Sequence, residues 1–330
     1  MPKPRSTLIS LETTPYYHCV SRCVRRAFLC GTDTITGNTY EHRRQLIEDK
    51  MLELGSIFAL NICAYAVMSN HYHIILHIDK DQAESWSFNE VINQWHKLFS
   101  GNLLSKRYIK GEKQGKAELR VLQKTVKLWR ERLMNISWFM RVLNETIARQ
   151  ANAEDNCTGR FWEGRFKTQA LLDDSALLSC MAYVDLNPIR AGMVSTPEAS
   201  GHTSIRQRLL SMSNQSTNPI KQQPPSLFPF VGYPRKNLPC GLAFHLTDYI
   251  ELVDWTGRIL RDDKRCYIDN NIPPILQRLN IQQDNWLYLC QHFESPFKGL
   301  VGSVFRLKQA CEQMGYKRTP GALNCAIYFP

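Results

Sequence analysis

The sequence predicts an α+β fold in which helices pack on one face of an antiparallel sheet. Three features carry that expectation. A run of aromatic and β-branched residues is followed by a helix and two further strands, a long helical stretch occupies residues 86–153, and a fourth strand-like segment then leads into another helix.

The first strand is "YYHCVSRCV", residues 16–24, and a turn-rich stretch with Gly31 and Gly37 follows it. "TYEHRRQLIEDKMLELGSI", residues 39–57, reads as a helix opened by Thr39 and closed near Gly55. Two strands come next, Ile57–Val67 and His71–Asp79, joined by the short polar turn "MSN". The helical stretch breaks at Gly101 and at Gly111–Gly115, and its last part, "ISWFMRVLNETIARQANA", repeats apolar residues at helical spacing and is expected on the sheet. "GRFWEGRFKTQALL", residues 159–172, returns to strand composition. Asp173–Asp174 can cap the helix "SALLSCMAYVDLN", which Pro188 is expected to terminate.

Beyond this point the polar, proline-bearing "SMSNQSTNPIKQQPPS" reads as a connection. The expected organisation is a first domain over 1–200, a linker over 201–226, and a C-terminal extension over 227–330 that contains Trp255 and Trp286. No internal repeat is visible.

Composition narrows the function classes. The 330 residues are 43% hydrophobic and 22% charged, as in an ordinary water-soluble domain. No apolar stretch approaches the roughly 20 residues that span a bilayer, and "MPKPRSTLISLETT" lacks the apolar centre of a secretory signal. A cytoplasmic location is expected. The eleven cysteines are scattered without a CxxC pair, which fits reduced, buried thiols rather than a zinc ribbon or a disulfide framework.

The net charge is +11, and residues 106–132 concentrate it, with ten Lys or Arg against three Glu. From Lys116 this segment has helical period. Leu122, Val126, Trp129 and Leu133 share one face, while Lys116, Arg120, Lys124 and Lys127 share the other. Such a helix is either a solvated surface element or a surface that tracks phosphates.

Two constellations can carry chemistry. "SNHYHIILHID", residues 69–79, places His71 and His73 on one face of a strand, with backbones roughly 6.6–6.8 Å apart. Two imidazoles at that spacing either converge on one cation or serve as hydrogen-bonded sheet residues; His77 lies too far along to join them. Zinc hydrolases also use an HxH pair, but they commonly add further acidic or His ligands nearby, where this chain has Ile74, Ile75 and Leu76. In "YVDLNPIR", residues 183–190, Tyr183 and Asn187 stand four apart and so share a helical face. A tyrosine hydroxyl is a nucleophile once its proton is removed, and an amide oxygen is a suitable ligand for a hard cation. Tyr183 could equally be a core aromatic.

Taken together, these residues resemble a known family. "NHYHIIL" looks like the His-hydrophobe-His motif of single-tyrosine HUH transposases. "GRFWEGRFKTQALLDDSALLSCMAYVDLNPIRAGMV", residues 159–194, resembles the second signature of the REP-associated tyrosine transposases (RAYT) within that superfamily, and "YYHCVSRCVRRAFLCG" is similar to their first strand. The likeness runs over about residues 12–195. "HLTDYIELVDWTGR", residues 245–258, is similar to a segment of longer members.

The resemblance implies an RRM-like (ferredoxin-like) domain that cuts and joins single-stranded DNA beside palindromic hairpins. It implies His71 and His73 as ligands of a divalent metal, Mg²⁺ or Mn²⁺, Tyr183 as nucleophile through a 5′-phosphotyrosine, and Asn187 as a third ligand. It also implies a bacterial, nucleoid-associated protein acting as monomer or homodimer. Arg160, Arg165 and Lys167 alternate with Phe161, Trp162 and Phe166, so cations could hold a DNA backbone while Trp162 and its neighbours stack on unpaired bases. The alternative is a half-buried strand with an ordinary charged face. The insertion over about 80–136 is longer than in compact relatives, and Arg120, Lys124 and Lys127 within it are expected to grip a hairpin stem. Two rival readings are a catalytically idle hairpin-DNA-binding protein of the same fold and a zinc hydrolase built on the HxH pair.

Overall fold

The structure is a computed structural model and describes residues 8–24, 29–32, 37–212, 223–232, 239–260, 273–297 and 299–329. Its centre is a five-stranded sheet built from β1 (Tyr16–Arg22), β2 (Leu60–Val67), β3 (His71–Ile78), β4 (Lys167–Leu171) and β5 (Leu300–Val301). The strand order is β2-β3-β1-β4-β5. The first four strands are antiparallel, and β5, from the C-terminal region, runs parallel to β4. The fold class is therefore α+β with a mixed sheet. The parallel edge was not foreseen, because a two-residue strand leaves no alternation to read.

Helix α1 (His42–Ile57) follows β1, and α2 (Lys80–Ser85), α3 (Phe88–Leu98), α4 (Leu103–Ile109), α5 (Lys116–Leu133) and α6 (Ile136–Glu154) fill the space between β3 and β4. The order β1-α1-β2-β3-α6-β4 is that of the ferredoxin-like βαββαβ unit. As in that unit, both of its helices lie on one face. The Tyr72 hydroxyl donates to Asn144 of α6 at 2.6 Å, and the Tyr65 hydroxyl donates to Glu48 of α1. Buried Arg43 ties the two helices together by pairing with Glu154 and Asp155 at 2.7 and 2.5 Å. Gly55 does not end α1. A Cβ there would sit 3.0 Å from Ile62 Cδ1, so the glycine lets the helix lie close on β2.

The insertion follows its expected breaks: Gly101 and Gly111 both take positive φ, at 65° and 75°. Ser87, Asn102 and Asn135 cap α3, α4 and α6. On α5 the expected stripe of Leu122, Val126, Trp129 and Leu133 is buried, and Lys116, Arg120, Lys124 and Lys127 are exposed. Trp129 stacks on Trp95 of α3 with ring centroids 5.2 Å apart.

After β4 the chain covers the other face of the sheet. It does so through α7 (Asp174–Asp185), α8 (Asn187–Arg190), α9 (Ser204–Met212), α10 (Leu246–Ile259), α11 (Pro274–Arg278) and α12 (Gln283–His292), followed by α13 (Val304–Gln313) and α14 (Ala322–Tyr328). Asp173 caps α7 by accepting from Ala176 N at 2.9 Å. Pro188 does not terminate the helical path: it sits in the first turn of α8, where its missing N–H breaks no helical hydrogen bond.

The segment 201–226 is partly helical. α9 packs on β2, with Tyr65 N donating to Ser204 Oγ at 3.2 Å and Arg208 Nη2 donating to the Cys63 carbonyl at 2.9 Å. A bridge from Thr203 to Ala66 and a hydrogen bond from Phe228 N to the Ile62 carbonyl cover the β2 edge. Residues 213–222 of the expected linker lie outside the described residues. No helix among the described residues is long and apolar enough to cross a membrane.

Candidate metal and tyrosine site

Strand alternation decides which residues face the site. His71, His73, Ile75 and His77 of β3 point to the face away from α1 and α6. Their cross-strand partners Arg22, Val20, His18 and Tyr16 share that face. α7 and α8 cross it, and α12 packs against α7.

The four residues expected to act together are brought together. The Asn187 amide nitrogen lies 2.8 Å from His73 Nε2, across 114 residues of sequence. The Tyr183 ring meets His73 edge-on at 5.7 Å, and the His71 and His73 rings are 4.8 Å apart. Leu186 stays in the right-handed helical region between α7 and α8, which keeps Tyr183 and Asn187 on a common side.

Three further residues had not been singled out in the sequence. His18 Nε2 lies 3.0 Å from His73 Nδ1, and its other ring nitrogen is 2.9 Å from Gln169 Oε1. Glu294, just beyond α12, accepts a hydrogen bond from the Tyr183 hydroxyl at 3.0 Å and lies 3.6 Å from His73 Nδ1. Arg190 sits over the Tyr183 ring at 4.1 Å and donates to Asn187 Oδ1 at 2.8 Å. The C-terminal region thus reaches the site, although its sequence shows no catalytic pattern. A histidine inside the apolar run "YYHCV" is a signal for His18; nothing local marks Glu294.

Electrostatics keep His71, His73 and Tyr183 neutral at rest. Burial, helped by the Arg22 charge, lowers His71 to about 4. Burial and the neighbouring His71 and His18 hold His73 well below the usual imidazole range. Burial raises Tyr183; Arg190 opposes that shift and Glu294 adds to it, so the phenol keeps its proton.

Neutral imidazoles are the metal-binding form, and the set of two imidazoles with an adjacent amide fits a divalent cation by donor chemistry. Among the described residues no group of three or more His, Cys, Asp or Glu is arranged to hold a metal ion. As placed, the amide turns its nitrogen to His73 and its oxygen to Arg190, so Asn187 Oδ1 would face an ion held by the histidines only with the amide turned over.

Beside the site is an open cavity of about 800 Å³, lined among others by His18, Val20, Arg160, Arg165, Lys167 and Glu294. Arg160, Arg165 and Lys167 are exposed along it, but the aromatics between them are not. Trp162 is 8% exposed, its indole N–H donates to the Asn144 carbonyl at 2.9 Å, and its ring meets Tyr72 edge-on. Phe161 and Phe166 are buried too. The expected alternation fails here because residues 159–166 are irregular apart from a Cys23–Trp162 bridge, and the strand proper begins at Lys167. Arg120, Lys124 and Lys127 are not part of this cavity. They lie on α5, in the helical layer with α1 and α6.

No family model matches the chain, and no curated protein matches it. Among solved structures it is similar to a REP-associated tyrosine transposase bound to a REP hairpin. That likeness has a TM-score of 0.37 and 11% identity, and covers 64% of this chain and 86% of the other.

Proposed function

We propose that this chain is a transposase of the single-tyrosine type, a metal-dependent endonuclease and strand transferase for single-stranded or hairpin DNA. One observation carries the reading: the tyrosine of "YVDLNPIR" and the histidine pair of "NHYH", distant in sequence, meet on one face of the sheet, where Asn187 also reaches His73. A zinc hydrolase on the HxH pair leaves Tyr183 without a role, and an idle binding protein needs neither the pair nor the tyrosine.

In this reading Tyr183 Oη attacks a backbone phosphorus in line with the departing 3′-oxygen. An O–P bond forms to the tyrosine, the P–O3′ bond breaks, and a 5′-phosphotyrosine and a free 3′-hydroxyl result. The phenol already donates to Glu294 Oε1, so its proton has an acceptor as the bond forms, and the 3′-oxygen takes up a proton from solvent. Attack by a 3′-hydroxyl on the phosphotyrosine reverses the exchange and joins strands without ATP. His71, His73 and Asn187 would hold the divalent ion, Mg²⁺ or Mn²⁺, which when bound polarises the scissile phosphate and offsets its charge.

The strand would run along the cavity beside β4, its backbone held by Arg160, Arg165 and Lys167. With Trp162 packed inward, these cations carry the contact there without stacking by that ring. Arg120, Lys124 and Lys127 are candidates for a second contact on a hairpin stem.

A labelled single-stranded oligonucleotide with a hairpin, incubated with the protein and Mn²⁺, tests this. The expected result is a covalent protein–DNA adduct that Tyr183→Phe abolishes while retaining DNA binding. Equal behaviour of the two proteins would refute the mechanism.

A further inference from the structure

The hydrogen bonds through the site form a directional chain, and its two ends are chemically obligate. Arg190 can only donate, and its Nη2 faces Asn187 at 2.8 Å, so the Asn187 oxygen must be the atom turned toward it. The Asn187 NH₂ then faces His73 Nε2 at 2.8 Å, and since an amide nitrogen only donates, Nε2 must accept. A neutral His73 therefore carries its proton on Nδ1, which faces His18 Nε2 at 3.0 Å. His18 in turn accepts on Nε2 and carries its proton on Nδ1, opposite Gln169 Oε1 at 2.9 Å. The far end agrees independently: Gln169 Nε2 faces the Phe297 carbonyl at 3.5 Å, and a carbonyl can only accept. Reading from either end gives the same polarity.

Two neighbours support the assignment. The Glu294 carboxylate lies 3.6 Å from His73 Nδ1, where a proton is favoured and a lone pair is not. Asn70 Oδ1 contacts His71 Nδ1, so the other imidazole of the pair also presents Nε2.

We infer that His18, backed by Gln169, is a positioning residue that locks His73 in its Nδ1–H tautomer, so that Nε2, which accepts from the Asn187 NH₂ in this structure, is the nitrogen offered to an ion that displaces that hydrogen bond. An imidazole free to exchange tautomers presents the required lone pair only part of the time. Partners that hold the second ring nitrogen of a ligating histidine typically change metal affinity about 10–100-fold when removed. The metal consequence rests on the proposed function; the tautomer itself does not.

Long-range proton–nitrogen correlation spectra of ¹⁵N-histidine-labelled protein read the tautomer directly. The wild type should show His73 Nδ1 protonated and Nε2 unprotonated. His18→Phe removes the acceptor and should give a mixture of tautomers, with Mn²⁺ binding, followed by the paramagnetic resonance of the free ion, weakened about 10–100-fold. His18→Gln offers a side-chain oxygen in place of Nε2 and should restore both the single tautomer and the affinity. Gln169→Leu leaves His18 in place and should act in the same direction as His18→Phe, which keeps the test decisive if that variant fails to fold.

A wild-type His73 protonated on Nε2 would overturn the inference. So would a His18→Phe protein with unchanged tautomer and Mn²⁺ affinity. The predicted tautomer and Mn²⁺ binding without any covalent DNA adduct would sink the enzymatic reading and leave the relay standing.

Discussion

Asp185 lies two residues from Tyr183, and its replacement by Ala should be among the most destabilising single changes near the site. Its carboxylate is fully buried and accepts from Ser204 Oγ, from Ile205 N at 3.0 Å and from the Tyr249 hydroxyl at 2.6 Å. It thereby joins α7 to α9 and α10. It is also the charge that opposes burial of Arg208, a fully buried guanidinium whose Nε and Nη1 have no partner. Asp185→Ala strands three donors and leaves that guanidinium uncompensated. The two charges are not in contact, so the loss is set mainly by the three orphaned donors, at about 1–3 kcal/mol for each buried group and about 3–5 kcal/mol together. Asp185→Asn keeps an acceptor oxygen and should cost about half as much. Urea unfolding at neutral pH, followed by circular dichroism, measures both. A loss below about 1 kcal/mol for Asp185→Ala would mean that the three donors are not left orphaned, and the reasoning would fail.

Other expectations bear on separate parts of the account. Burial lowers His77 to about 4, with Asp79 and Asp81 opposing, against 6.5 for the unfolded side chain. On acidification the unfolded chain takes up this proton first. Stability should therefore fall between about pH 6.5 and pH 4 by up to about 3 kcal/mol from this group, and His77→Leu should flatten the stability–pH profile over that window. Trp162→Phe should cost about 1–2 kcal/mol through the lost indole hydrogen bond and lost ring packing and leave DNA affinity unchanged; weaker DNA binding at unchanged stability would restore the stacking role. Lys124→Gln and Lys127→Gln should each make the plot of log affinity against log salt shallower by about one for hairpin DNA, and an unchanged slope would remove α5 from the DNA contact.

Much of the scaffold was legible because period and face are local properties. The alternation in "HYHIILHI" placed His71 and His73 side by side, the four-residue spacing in "YVDLN" put Tyr183 beside Asn187, and the apolar stripe of α5 is buried as its period required. What failed was whatever depended on a partner far along the chain. Sequence alone leaves Trp162 open between a stacking ring and a half-buried residue because its inward turn is set by Asn144 and Tyr72, and its own segment is not a regular strand. Pro188 looked like a stop, yet it opens a second short helix and so lets Asn187 continue the side on which Tyr183 sits. His18 belongs to the site only because β1 lies next to β3 in one particular register, and Glu294 only because α12 packs on α7. A C-terminal region without a visible motif supplies the carboxylate that accepts from the Tyr183 hydroxyl.

The central claim, that Tyr183 attacks DNA phosphate at a site shared with His71, His73 and Asn187, is tested most directly by locating the covalent bond. Adduct formed on hairpin-bearing single-stranded DNA with Mn²⁺ would be digested with protease and nuclease, and the nucleotide-bearing peptide sequenced by mass spectrometry. The account predicts a 5′-phosphate linked to Tyr183, formed only with the divalent ion and lost in His73→Ala. A phosphodiester on any other residue, or an adduct that forms equally well in His73→Ala, would contradict it.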